Sequence, residues 1–182
     1  SAAYDWLVGA GELTGEDRAE ARFRLLRLAQ IEHQIQKTPW DQLDRSKFYP
    51  RKSNYGFRSL SGVGMVALTF PNQKGLIPDP SGHLDPSSAE AFGSREVLKW
   101  VTGELFEEIT VEYSANPTSD SMVGHYVSPD GYYEEGYFYQ NDTFSLLTPF
   151  LVAYDHSLGV DYISVGSLTK DIHAIDLSMR FD

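Results

Sequence analysis

Cysteine is missing from all 182 residues, and that absence removes a disulfide framework, a thiolate nucleophile and any cysteine-held zinc or iron–sulfur centre. Long apolar runs are missing too. Phe144 to Tyr154 is among the longest uncharged stretches, about half of the roughly 20 residues a spanning helix needs, and it contains Pro149. A membrane-spanning chain is therefore not expected. Basic charge is scarce, with 15 Lys and Arg against 26 Asp and Glu and a formal net charge of −11. Nucleic acid and anionic lipid both require cations, so neither is an expected partner. The start, Ser1-Ala2-Ala3, lacks a basic segment leading into an apolar run, so no signal peptide is expected there and no compartment is indicated.

What is present suits a soluble globular domain. The chain is 41% hydrophobic, 13% aromatic and 23% charged, and a domain of this length buries roughly 70% of its unfolded surface without a staple. Residues 1–182 read as one domain. The charge is unevenly spread: residues 1–58 hold ten basic against eight acidic residues, and residues 59–182 hold five against eighteen. A helical and aromatic-basic region over 1–62 thus precedes a strongly acidic region over 63–182.

Helical signals come first. Thr14 caps a helix with Asp17 three residues on. Ala21, Leu25, Leu28, Ile31 and Ile35 then recur at helical spacing, widened by Phe23, Leu26 and Ala29, until Lys37-Thr38-Pro39 stops the run. Arg18, Arg22, Arg24 and Arg27 read as its solvated face. A second helix is expected from Ser94 to Glu108, with Leu98, Val101, Leu105 and Ile109 on one side and Val97, Trp100 and Phe106 beside it. Val63 to Phe70 reads as β-compatible.

From Ile109 the apparent period becomes two. Ile109 to Tyr113, Val123 to Val127, Tyr132 to Gln140, Phe144 to Tyr154, Val160 to Gly166 and Ile172 to Phe181 are apolar or alternating, and Ser128-Pro129-Asp130-Gly131 has the order of a tight turn. Short connections favour antiparallel neighbours. The expected fold class is α+β: an N-terminal helix, a second helix near the middle and a C-terminal antiparallel β-meander of about five or six strands.

Candidate chemistry is limited to histidine, carboxylate and hydroxyl groups. Gly62-Val63-Gly64-Met65-Val66-Ala67 copies the spacing of a dinucleotide loop, but that loop needs a strand before it and a helix after it, whereas β-like residues and Pro71 follow here. On expected strand faces, His125 joins Val123 and Val127, His173 joins Ile175 and Leu177, and Asp161 joins Ile163 and Val165. These three could meet in a sheet-lined pocket and do acid–base work as a hydrolase, lyase or isomerase. No metal site and no cofactor is indicated.

Recognition has the stronger signals. Six aromatics fall between Tyr126 and Tyr139, and Tyr133, Tyr137 and Tyr139 share one strand parity; tyrosine offers stiff contact area with a polar tip. Arg45, Arg51 and Lys52 stand among Trp40, Phe48, Tyr49 and Tyr55. Such interleaving suits a single-stranded nucleic-acid platform, but the acidic remainder favours an arm that packs on the domain or on a neighbour. The sequence expectation is a non-catalytic interaction or assembly protein, self-associating or bound to another protein, as ring and virion-like subunits or acidic inhibitor and immunity proteins are. The acid–base enzyme using His125, His173 and Asp161 is the alternative.

Overall fold

A computed structural model of the chain describes residues 2–37, 54–74, 93–107, 122–127 and 136–164. They form α1 (Ala2–Gly9), α2 (Gly15–Lys37), α3 (Asn54–Thr69), α4 (Ser94–Thr102) running into a π-helical turn (Gly103–Glu107), α5 (Met122–Tyr126) and α6 (Tyr137–Leu158). Among the described residues there is no strand.

The start of α2 follows from its side chains. Asp17 N donates to Thr14 Oγ1 at 3.1 Å, while the Asp17 carboxylate accepts from Thr14 N at 3.2 Å and from Thr14 Oγ1 at 2.6 Å. The box is closed reciprocally with Asp in the place where Glu or Gln is usual. These hydrogen bonds hold the Asp17 carboxyl below the usual carboxylate range. The described helix runs to Lys37; Thr38 and Pro39 of the expected stop lie outside the described residues.

α3 is the hub, packing against α2, α4 and α6. Phe57, Leu60, Val63, Val66 and Ala67 are buried, and their spacing of three and four residues covers more than one side of the helix. Gly64 permits the closest approach, since a methyl group added there would overlap the ring of Phe150 on α6. Phe150 is itself fully buried, so its ring has nowhere to swing.

Polar contacts fix the ends of α3 and α4. Ser94 Oγ donates to Phe70 O at 2.6 Å and Ser94 N to Gln73 O at 3.1 Å, while Arg22 Nη2 reaches Gln73 Oε1 at 2.8 Å. α2, the end of α3 and the start of α4 are thereby tied at one corner. Where α4 loosens into the π turn, Thr102 Oγ1 donates to Leu98 O at 3.1 Å, a back-bond of the kind that bends helices. Tyr162, beyond α6, stacks on Phe106 of that turn with ring centroids 4.2 Å apart and planes 8° from parallel. Burial, then the neighbouring Tyr154, push the Tyr162 phenol up.

The expected α+β class and antiparallel sheet are corrected by these elements. Val63 to Phe70 lies almost wholly in α3, Val123 to Tyr126 in α5, and Tyr137 to Tyr154 in α6, whereas Val160 to Tyr162 is irregular and Ile163-Ser164 is a turn. Val97, Leu98, Val101 and Leu105 are buried, as the second-helix stripe requires. Ile109 to Tyr113, the Ser128 to Gly131 turn and Ile172 to Phe181 lie outside the described residues.

In α6 the reason for the correction is plain. Gln140, Thr143, Phe144, Leu147, Phe150 and Leu151 are all buried. A strand sends the neighbours Thr143 and Phe144, or Phe150 and Leu151, to opposite faces; a helix keeps both pairs on one side. Intrinsic preference for β structure in aromatic residues is overridden by packing against α3. Gly136, at φ 82°, precedes the helix, and Gly159, at φ 69°, closes it with its N–H on Asp155 O at 2.7 Å, the left-handed cap that glycine adopts without strain.

Candidate functional site

Packing α6 onto α3 leaves a trough on the other side of their contact. α2, α3 and α6 bound an open groove of about 710 Å³, within the range of binding sites of roughly 300–1,000 Å³. Leu25 and Leu28 of α2 form one wall, Gly62 and Met65 of α3 the floor, and Leu146 and Pro149 of α6 the other wall. Leu28 is 65% exposed and Leu146 45%. Isolated exposed leucines are ordinary; here two helices aim them at one trough.

One region of the lining is polar. Arg58 Nη2 meets Asp142 Oδ1 at 2.5 Å, joining α3 to α6 with both side chains 35% exposed. Glu32 accepts from Gln36 Nε2 at 2.9 Å. Ser61 is almost completely buried, and its hydroxyl has no hydrogen-bond partner. The lining is thus mostly aliphatic, with the Arg58 guanidinium that pairs with Asp142, the Glu32 carboxylate and the serines at 59 and 61.

The apolar surface continues along α6. Its 22 residues contain Asp142, Asp155 and His156 but neither Lys nor Arg, and from Thr143 to Tyr154 no side chain is charged. A helix that is uncharged on every side is normally covered on every side. Yet Phe138, Leu146, Pro149 and Val152 are exposed. Pro149 belongs at such a position, because a carbonyl deprived of its intrahelical donor can be hydrated at the surface.

Of the residues expected from sequence, Tyr137, Tyr139, His125 and Asp161 are among the described residues. Tyr137 opens α6, and Tyr139 is exposed in its first turn, its neighbour Phe138 lying edge-on at 5.4 Å. His125 is in the short helix α5. Asp161 is exposed after α6, where its carboxylate accepts from Ile163 N at 2.9 Å and Ser164 N at 3.0 Å. Hydrogen bonds from Ser164 first, and from Ile163, hold that carboxyl below the usual range. His173, Tyr133, Arg45, Arg51 and Lys52 lie outside the described residues. The strand faces that grouped His125 with Asp161 are not formed. Among the described residues, no group of three or more His, Asp or Glu side chains is placed to hold a metal ion.

Sequence reasoning missed the groove, although its signal was present. Ala21, Leu25, Leu28, Ile31 and Ile35 read as the core stripe of α2, but the side turned to the core carries Leu26, Ala29 and Gln30. Two apolar stripes on one helix imply two contacts. The charge-free span of α6 says the same. No helix among the described residues is long and apolar enough to cross a membrane. Comparison with protein-family models, with curated proteins and with solved structures returned no match.

Proposed function

We propose that the chain is a non-catalytic interaction or assembly protein that docks a protein partner on the groove between α2, α3 and α6. The observation that carries this reading is the exposure of Leu28 and Leu146 on facing walls of one open apolar trough. Helix-in-groove recognition uses such surfaces, reading apolar anchors at intervals of three and four residues. The matched Arg58–Asp142 pair then fixes orientation at the polar region more than it adds affinity. Because the face is apolar, its contacts should persist at high salt, unlike a head-to-tail association of basic and acidic ends.

A photo-crosslinking residue at Leu28 or Leu146, in the cell that makes the protein, tests the reading. It should give discrete adducts that the same residue at the solvent-facing Glu20 does not. Diffuse or absent adducts at both groove positions would overturn it.

A further inference from the structure

The lining of the groove runs from Leu25 to Glu32 on α2 and from Arg58 to Val66 on α3, about two helical turns on each. That is the reach of a helix whose apolar anchors recur at three, four and seven residues. Gly62, midway along the α3 floor, is exposed, and a methyl group added there would meet no atom within 4 Å. A glycine inside a helix costs stability; this one keeps the floor low between the two walls. Among the described residues two ionised side chains line the groove, Arg58 and Glu32. Arg58 is already matched by Asp142. Glu32, half-buried one turn beyond Leu28, has the neutral amide of Gln36 as its hydrogen-bond partner. Arg24 and Arg27 of α2 are engaged by Glu20 and Gln30, and α6 carries neither Lys nor Arg. The charge the groove offers is therefore one carboxylate, on a chain of net charge −11.

We infer that the groove's occupant is a basic amphipathic helix of another protein, its apolar anchors seated between Leu28 and Leu146 and a Lys or Arg one turn farther on meeting Glu32. The inference rests on the docking reading above and names the partner's chemistry. An acidic helix would set its carboxylates against Glu32 and against the chain's excess negative charge, whereas a basic one is drawn in by the same field. Apolar contact supplies most of the affinity, and the carboxylate supplies the choice. Added salt should thus erase the preference for a basic helix and leave much of the binding in place.

A phage-displayed library of helical peptides about 18 residues long, selected on the purified full-length protein, tests this. Its leucines are fixed at i, i+4 and i+7, and its polar positions are open to Lys, Glu and Gln. Selected peptides should carry Lys one turn beyond an end leucine, and exchanging that Lys for Glu should weaken binding about tenfold or more at low salt. Glu32→Gln should weaken the Lys peptides about three- to tenfold, and Glu32→Lys should turn the preference toward Glu. Gly62→Leu fills the floor with a better helix former, so the melting temperature should hold or rise while the selected peptides lose their binding. Selection of acidic or neutral peptides, or no selection, would overturn the inference. So would a Lys preference that Glu32→Gln leaves intact, or binding that Gly62→Leu leaves unchanged. In each case discrete in-cell adducts at Leu28 and Leu146 would leave the docking reading standing with a partner of other chemistry, and their absence would remove both.

Discussion

Leu146 and Leu147 are neighbours of identical chemistry, yet Leu147 is completely buried against α3 and Leu146 is 45% exposed on the groove. The same division runs along α6. Its inner side, from Gln140 to Leu151, fills the space left by Gly64 and Ala67 of α3, and its outer side offers Phe138, Pro149 and Val152 to solvent. Apolarity alone therefore does not mark the core. What marks it is a partner surface close enough to exclude water, and α3 supplies one on a single side.

Substitutions should separate the two sides sharply. Phe150→Ala removes a fully buried ring and should cost about 3–5 kcal/mol, whereas Phe138→Ala, with a side chain mostly in water, should stay within about 0.5 kcal/mol. Chemical denaturation measures both, and comparable losses would erase the distinction. Gly64→Val forces branched atoms into the Phe150 ring and should cost about 1–3 kcal/mol, lowering the melting temperature by several degrees.

Away from that contact the effects shrink. Thr14→Ala opens the box that starts α2 and should cost on the order of 1 kcal/mol. The Asp17 carboxyl is held below its ordinary value mainly by Thr14. Its support of the helix start is thus present above the usual carboxylate range and is lost as pH falls through the lowered value. An NMR titration of Asp17 should accordingly move up toward the ordinary value in Thr14→Ala. Smallest should be Arg58→Ala, because a half-exposed ion pair contributes roughly 0–1 kcal/mol; denaturation should register little change.

The helical half of the fold was legible because its signals are local. Thr14 with Asp17 marks where α2 begins, and Val97, Leu98, Val101 and Leu105 define the buried side of α4 and its π turn. The apparent meander was a misreading of period. Between Phe144 and Tyr154 nearly every residue is apolar or aromatic, so both periods find matches, and composition then favours a strand. The spacing of Gln140, Thr143, Phe144, Leu147, Phe150 and Leu151 resolves the ambiguity only once the partner α3 is known. The groove was legible in part. Leu25 and Leu28 were visible as part of a stripe, but nothing local says whether a stripe meets the chain's own core or faces outward.

An aspartate scan from Thr143 to Tyr154, read as melting temperature, tests the two-sided α6 most directly. Large losses are expected at positions 143, 144, 147, 150, 151 and 154, the helical period, with little change at Leu146, Pro149 and Val152. Losses alternating at every second residue would contradict it, because that is the pattern of a strand.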